Sequence, residues 1–273
     1  MRDVLNRLLP RPVVRGGRRL LRGMTRRLGL GEPADPALSD LSGDGDWKAA
    51  GDAIVLWARA LCGVPPDAQV LDIGCGPGRM AEGLLGYLSD DGRYTGFDVS
   101  QAAITHAETR LGSDARARFH HADIHNLEYN PRGETKASAY EFPVPDESLD
   151  FAFATSVFTH MHTKDVAHYI GEIARTLKPG GCALVTVFLM DSESGVAMAA
   201  GRARYRFDKR IDAQSASIDA RTPERAMAFE DGFILDQLQT HSLTIEGDIH
   251  RGTWRGHGNA MAFQDMIVVR RAG

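Results

Sequence analysis

Three glycines in the stretch VLDIGCGPGR, Gly74, Gly76 and Gly78, leave the backbone bare just after an apolar segment. Glycine has no Cβ, so the chain can turn tightly there and a ligand can lie against the backbone. Asp98 and Asp123 follow the next two apolar segments. A carboxylate at such a strand end accepts hydrogen bonds from ribose hydroxyls, and a second one beside it can accept from an adenine amine. Together these residues predict a nucleoside-binding cleft.

Histidines supply the candidate for proton transfer. The segment TSVFTHMHTKD places His160 and His162 after an apolar segment that is predicted as the fourth strand. Histidine changes charge near neutral pH and is the commonest general base. We therefore predict that His160 is catalytic. Two alternatives for the His160 ring stay open: it packs under the adenine, or it caps the next helix. Thr163 and Asp165 are the other candidates for that cap.

No metal site is expected. His120 and His121 are neighbours on a predicted strand, so their side chains point to opposite faces. Cys62, Cys75 and Cys182 are far apart and form no CxxC pair. This cysteine usage predicts a reducing, cytoplasmic location without a disulfide.

The elements that must position these residues alternate along the chain. Short apolar strands and amphipathic helices in alternation predict an α/β fold with a parallel sheet covered on both faces. A first helix is expected at about 46–62 and another at about 223–241. Two strand candidates close the chain as a predicted antiparallel pair at the sheet edge: SLTIEGDIH and FQDMIVVRR.

Charge is unevenly distributed over the 273 residues, whose net charge is −4. Nine arginines lie between Arg2 and Arg27. We predict a basic arm and linker over residues 1–42 and one domain over 43–273. Several interpretations of the arginine-rich residues 1–30 are open. They could contact an anionic membrane surface, RNA or an acidic partner. They could instead pack on the chain's own domain or on a second copy in a homodimer, or form a mobile tail.

Between Val70 and Leu189 the chain resembles the class I S-adenosylmethionine-dependent methyltransferases. The resemblance rests on VLDIGCGPGR, the acid in YTGFDVS, HHADI, FPVPDESLDFAFATSVFTHM and LKPGGCALVTVF. It implies a Rossmann-like, doubly wound seven-stranded sheet that is mostly parallel with an antiparallel last strand. A dehydrogenase is the rival interpretation of the glycine turn, but its usual pattern is GxGxxG and this chain has GxGxG.

The resemblance also implies S-adenosylmethionine as the cofactor. Residues 72–78 would then hold its methionyl part, Asp98 the ribose, and Asp123 with the Ile124 backbone the adenine. Thr155 and Ser156 would face the transferable methyl group. The full set of implied cofactor contacts is Asp72, Gly74, Cys75, Gly76, Gly78, Arg79, Asp98, Val99, Asp123, Ile124, Thr155 and Ser156.

The acceptor site is expected in segments that depart from the bare family pattern. An insertion at about 125–141 and a lid-like segment at about 191–222 can both wall the cleft. If the last strand is antiparallel, the loop that precedes it also lies on the cofactor side. The predicted acceptor contacts are Tyr129, Tyr140, His162, Arg204, Tyr205, Trp254, Arg255 and His257.

These expectations favour O-methylation of a small-molecule or saccharide acceptor. No NPPY-type tetrapeptide follows the fourth strand, where TSVF stands instead, and no DNA partner is expected. Two alternatives stay open: an RNA or protein methyltransferase that uses the basic arm, and a non-catalytic cofactor-binding module. The expected location of the protein is the cytoplasm, with a peripheral position at the inner membrane face as the alternative.

Overall fold

The computed structural model describes residues 47–256 and 260–273. The basic arm and the predicted acceptor residue His257 lie outside these residues. No helix in the described part of the chain is long and apolar enough to cross a membrane.

Helices and strands alternate as the apolar pattern predicts. The helices are α1 (Trp47–Cys62), α2 (Arg79–Tyr87), α3 (Gln101–Leu111), α4 (Thr163–Thr176), α5 (Ser192–Ala199) and α6 (Asp231–Thr240). The strands are β1 (Gln69–Ile73), β2 (Arg93–Asp98), β3 (Ala117–His121), β4 (Leu149–Ala154), β5 (Leu177–Val187), β6 (Leu189–Met190), β7 (Lys209–Arg210), β8 (Ser215–Ser217), β9 (Met227–Glu230), β10 (Leu243–Ile245) and β11 (Asp265–Arg271). Short 3-10 turns lie at Ala137–Ala139, Phe158–His160, Pro223–Arg225 and Thr253–Arg255.

The main sheet has seven strands in the order β10-β11-β5-β4-β1-β2-β3. Strands β1 to β5 are parallel, whereas β11 is antiparallel to both β5 and β10. The predicted seven-stranded doubly wound sheet with an antiparallel last strand is therefore confirmed. The chain leaves β1 towards β2 and β3 and then returns to β4 on the other side of β1. Such a reversal opens a cleft at the carboxyl ends of the strands.

Apolar side chains cover both faces of this sheet. One cluster contains Leu71, Phe97 and Val185, and the cluster on the opposite face contains Val70 and Phe153. Alternate residues of one strand thus serve opposite layers, as the period-two geometry of a strand requires. The buried layers hold the carboxyl ends of β1, β2 and β4 side by side, where the candidate residues lie.

A second, smaller sheet in the order β6-β9-β8-β7 is formed by the part of the chain between β5 and β10. The expected helix at 223–241 begins only at Asp231, because residues 227–230 form β9 and pair with β8 and β6. Helical spacing alone could not show this, since these strands are only two to four residues long. Part of the predicted lid-like segment, at about 191–222, supplies two strands of this sheet.

The expectation of no disulfide is wrong in this structure. Cys62, the last residue of α1, is bonded to Cys182 in β5, and their Cα atoms are 5.7 Å apart. They are separated by 120 residues of sequence, so only the packing of α1 beside β5 brings them together. Cys75 is the free cysteine and is buried.

Candidate functional site

The glycine turn between β1 and α2 requires glycine for steric reasons. Gly74, Gly76 and Gly78 have φ values of +73°, +54° and +87°, a region that other residues rarely adopt. A Cβ on Gly74 would also lie 2.5 Å from Cγ2 of Val157. The backbone of this turn therefore passes close to the segment that follows β4.

Asp98, the last residue of β2, ties the glycine turn to its own strand. Its Oδ2 accepts a hydrogen bond from the Gly76 backbone N–H at 2.8 Å, and its Oδ1 accepts one from Ser100 N–H at 2.8 Å. Burial raises the pKa of this carboxyl group above its ordinary value. Each carboxylate oxygen still has a second lone pair, so Asp98 can fix the turn and accept further hydrogen bonds.

Asp72 lies beneath the turn and is almost fully buried. The Tyr94 hydroxyl donates to its Oδ2 at 2.6 Å. Burial raises the pKa of Asp72 to about 7, although the Tyr94 hydrogen bond and the positive charge of Arg79 act in the opposite direction. A cation beside Asp72 would favour its ionised form.

Ser156 marks the other wall of the cleft, just after β4. It has a φ of +59° although it is not glycine, and such strain collects at functional sites. Its backbone N–H donates to Thr186 Oγ1 at 2.8 Å, and its Oγ accepts from Gln264 Nε2 at 2.9 Å. The neighbouring Thr155 donates to the Met80 sulfur at 3.3 Å. Sequence analysis did not identify Gln264, which reaches the Ser156 hydroxyl only because β11 pairs with β5.

The insertion at about 125–141 folds back over the loop after β3. His125 N–H donates to the Thr135 carbonyl at 2.8 Å, and Thr135 N–H donates to the Asp123 carbonyl at 3.0 Å. Asn130 donates from its side chain to Asp123 Oδ1 at 3.1 Å. Asp123 is exposed two residues beyond the end of β3, and the next residue, Ile124, is buried. The insertion therefore lies beside the edge of the main sheet at which Asp98 ends β2.

His160 has one ring nitrogen occupied and one directed at a tyrosine. Nδ1 lies 2.7 Å from the backbone carbonyl oxygen of Glu224. A carbonyl only accepts, so Nδ1 carries the hydrogen and Nε2 has the lone pair. Nε2 lies 3.5 Å from the hydroxyl of Tyr129, and the two rings meet edge to face. Burial lowers the pKa of His160, so its imidazole is neutral at neutral pH.

Glu224 is a buried carboxylate that joins three segments at this end of the cleft. It accepts a hydrogen bond from the Leu127 backbone N–H in the insertion. Its Oε1 lies 3.6 Å from His162 Nε2, and this interaction raises the pKa of His162. The predicted contribution of Asp165 to the cap of α4 is present, since its carboxylate accepts from His162 N–H. Glu224 was missed because its segment was assigned to a helix.

Comparison with known proteins identifies the kind of domain that contains these residues. A family profile described as a methyltransferase domain matches residues 70–181, which contain the glycine turn, Asp98, Asp123 and His160. This chain carries a class I S-adenosylmethionine-dependent methyltransferase domain.

Curated relatives of the methyltransferase domain include proteins named as methyltransferases. The 27-O-demethylrifamycin SV methyltransferase of Amycolatopsis mediterranei is 33% identical over 140 residues, covering 50% of this chain and 44% of that protein. An O-methyltransferase of Penicillium expansum is 28% identical over 123 residues, covering 45% of this chain and 39% of that protein. The chain thus spans less than half the length of these relatives.

Solved structures share the fold over most of the chain. A protein from Pyrococcus horikoshii superposes with a TM-score of 0.57 at 13% identity, covering 85% of this chain and 95% of that one. Magnesium protoporphyrin IX methyltransferase from Synechocystis, with bound S-adenosylhomocysteine, gives a TM-score of 0.54 at 14% identity, covering 93% and 100%.

The cofactor of the methyltransferase domain is S-adenosylmethionine, and the residues at the cleft fit it. A Cβ built on Gly76 would meet no atom within 4 Å, so the backbone there faces open space that a ligand can occupy. Asp98, bonded to this glycine, has lone pairs left for hydroxyl groups. Arg79 begins the helix after the turn and Val99 follows Asp98; both are half-buried, whereas the Cys75 side chain is buried.

Two predicted acceptor contacts are corrected by the structure. Trp254 and Arg255 have no exposed surface, although their loop does lie at the expected edge of the sheet. Trp254 Nε1 donates to Asp265 Oδ2 at 2.9 Å, and Arg255 lies 3.0 Å from Asp265 and 2.7 Å from Asp191. These side chains turn inward because the buried Asp265 requires donors, so they support the loop and do not face an acceptor.

The other predicted acceptor residues occupy separate places. Tyr129 and His162 gather around His160 and Glu224, as described above. Tyr140 is half-buried against the Phe97 ring at 5.3 Å, and Tyr205 packs on Phe263 at 5.6 Å. Arg204 is exposed above the same Phe263 ring. Within residues 47–256 and 260–273, no group of histidine, cysteine, aspartate or glutamate side chains is arranged to hold a metal ion.

Proposed function

We propose that this protein transfers the methyl group of S-adenosylmethionine to an oxygen atom of a small-molecule acceptor, with His160 as the general base. The observation that carries the proposal is the state of the His160 ring. Its Nδ1–H is held by the Glu224 carbonyl, and its Nε2 lone pair faces the Tyr129 hydroxyl. An alcohol or phenol must lose its proton as it attacks, and a neutral, oriented imidazole can accept that proton.

The cofactor contacts in this proposal follow the positions at the strand ends. The backbone of residues 72–78 holds the methionyl part and Asp98 accepts from the ribose hydroxyls. Asp123 and the Ile124 backbone contact the adenine, while Thr155 and Ser156 lie beside the methyl group. When bound, S-adenosylmethionine supplies a sulfonium methyl group that is already activated. The protein then needs to align the acceptor with that carbon and to exclude water.

Proton transfer uses groups that the chain itself supplies. His160 Nε2 accepts the acceptor's proton, and the ring becomes an imidazolium. The Glu224 carbonyl oxygen, 2.7 Å from Nδ1, stabilises that cation without moving. Tyr129, which is 47% exposed, covers Nε2 from the insertion and can pack against the acceptor. The O-methyltransferase names of relatives from two organisms support oxygen as the methylated atom.

The test of this function is a transfer assay with methyl-labelled S-adenosylmethionine and a panel of phenols, polyketide alcohols and sugars. We expect label in a small hydroxylated compound, with release of S-adenosylhomocysteine, and NMR of the product should place the new methyl on oxygen. Label found only in RNA or protein, or a methyl group on nitrogen or carbon, would contradict the proposal.

Replacement of Asp98 by asparagine tests the cofactor contacts. The asparagine NH₂ group cannot accept, so either the Gly76 N–H bond or the Ser100 N–H bond is lost together with the ribose contact. We expect the Kd for S-adenosylhomocysteine to rise by about ten- to a hundredfold, measured by isothermal titration calorimetry. Asp91→Asn, an exposed change in the turn before β2, is the control and should leave the Kd unchanged. An unaltered Kd in Asp98→Asn would exclude Asp98 as a ribose ligand.

The pH dependence of kcat tests the role of His160. Because burial lowers its pKa below the ordinary value of 6.5, the neutral base persists on acidification and kcat should fall only below pH 6.5. The Glu224 carboxylate acts to raise the pKa of His160, so Glu224→Gln should move this acid limb to still lower pH. A structural defect would lower the plateau of kcat and leave the limb in place. If kcat of Glu224→Gln fell at the same pH as kcat of the wild type, the Glu224 carboxylate would not influence the pKa of His160.

A further inference from the structure

The outer strands of the main sheet carry an unusual polar surface at the end opposite the cofactor cleft. Thr95 of β2 pairs with Arg118 of β3, and Arg93 lies two residues before Thr95. Alternate residues of a strand share a face, so these side chains and His120 lie on one face. Further along the same strand, Phe97 belongs to the apolar core. Both faces of a parallel sheet are normally apolar, and this patch is an exception.

A cleft of about 320 Å³ lies against this polar surface. One wall consists of side chains at the amino ends of β1, β2 and β3, including Arg93, Arg116 and Arg118. The segment Pro143–Pro145 forms an apolar wall on the other side. Arg93 and Asp98 occupy opposite ends of β2, which are about 17 Å apart at 3.3 Å per residue. The arginine end of the cleft is therefore separate from the cofactor site, although the lining extends along β3 as far as His120, which pairs with Phe97.

The three guanidinium groups differ in what they bind. Arg116 uses its Nε and Nη2 edge to hold both oxygens of Asp114, at 3.0 and 2.7 Å. Arg93 is anchored by Nη1 to the carbonyls of Asp90 and Gly92, both at 2.7 Å. Arg118 is anchored in the same way, by Nη1 to two carbonyls of its own turn. For Arg93 and Arg118, the Nε and Nη2 edge has no hydrogen-bond partner among the described residues.

The carboxylates at residues 146–150, next to the Pro143–Pro145 wall, are engaged elsewhere. The residues that line it include no aspartate or glutamate. On the adjoining segment, Asp146 pairs with Arg175 and Glu147 pairs with Arg271. Asp150 accepts from Lys178. Arg93 and Arg118 thus form no ion pair with a carboxylate in the described part of the chain, although the negative charge of Asp90 acts on the neighbouring Arg116.

We propose that this cleft binds a small phosphate monoester with an apolar body. Nη1 anchors each guanidinium to its turn, so the free edges of Arg93 and Arg118 are oriented without a ligand. Such an edge binds two oxygens of a phosphate or carboxylate side by side. A dianionic phosphate matches two such charges, and the Pro143–Pro145 wall contacts the apolar part. This site neither depends on methyl transfer nor takes part in it.

The test uses the full chain saturated with S-adenosylhomocysteine and phenyl phosphate as the probe, in isothermal titration calorimetry at low ionic strength. We expect saturable binding of one phenyl phosphate per chain. Arg93→Gln and Arg118→Gln should each weaken it by about tenfold, and the double variant more. Arg110→Gln, which removes an exposed arginine paired with Glu82 on another surface, is the matched control and should change nothing.

Further titrations in the same experiment distinguish the proposal from simpler explanations. Inorganic phosphate should bind more weakly than phenyl phosphate; equal affinity would overturn the role of the apolar wall. Heat that sulfate reproduces at the same ionic strength would mean an adventitious ion only. No saturable heat with the wild-type protein, or full binding in the double variant, would overturn the site. S-Adenosylhomocysteine affinity, measured on every variant, reports proper folding and the cofactor site independently.

Discussion

The variant His160→Asn is expected to lose about two to four orders of magnitude in kcat while its affinity for S-adenosylhomocysteine is retained. The asparagine Nδ2 can donate to the Glu224 carbonyl in place of the imidazole Nδ1, so the local fold is kept. What disappears is Nε2 and its lone pair. Steady-state kinetics with the acceptor found in the transfer assay, together with calorimetry for the cofactor product, measures both quantities.

A second histidine provides the control for this variant. His168 in α4 has its Nε2 2.8 Å from the Tyr140 carbonyl, a contact that glutamine can reproduce, and His168→Gln should retain kcat. If His160→Asn kept full activity, or if it lost cofactor binding and turnover together, the ring would be a structural element and the general base would have to be another group.

The variant Arg255→Leu is expected to lower the free energy of unfolding by about 3–5 kcal/mol. Arg255 has no exposed surface and contacts Asp191 and the fully buried Asp265, with Glu193 at a longer distance of 3.8 Å. Its removal leaves Asp265 with hydrogen bonds from neutral donors only, so a buried charge loses its counter-ion. Urea unfolding of the ligand-free protein, followed by circular dichroism, measures the change.

Arg204→Leu is the matched control for this stability measurement. Arg204 is exposed above the Phe263 ring, so its replacement should change stability by less than about 0.5 kcal/mol. The alternative inferred from the sequence, in which Arg255 contacts the acceptor, makes the opposite prediction. An Arg255→Leu protein of unchanged stability and strongly raised KM would restore that alternative.

The glycine turn and the acids at the strand ends were predictable because their signals are local. Gly74 to Gly78 lie in one turn, and Asp98 follows an apolar strand whose alternation is visible in the sequence. The parallel sheet then brings the strand ends together at one edge. The topological argument for the last strand also succeeded, because an antiparallel β11 must begin where β5 ends, and Asp265 does pair with Val187.

The surroundings of the residues expected to contact the acceptor were predicted less well because their contacts join distant segments. Glu224 reaches His160 across 64 residues, and no pattern near residue 224 indicates a buried carboxylate. Trp254 and Arg255 looked suited to a ligand by residue type, yet the buried Asp265 uses their donors. The type of a residue shows which groups its side chain can bind, but it does not show which of those groups lies beside it in the fold.

The amino-acid sequence by itself determined the α/β class, the glycine turn and the acids at the strand ends, since short-range periodicity and backbone sterics depend only on neighbouring residues. The tertiary structure alone decided the long-range pairings, from the bonded pair Cys62–Cys182 in the core to the hydrogen bond that fixes the tautomer of His160. These outcomes depend on which distant segments pack together, and burial then requires each polar group to find the partner that packing provides.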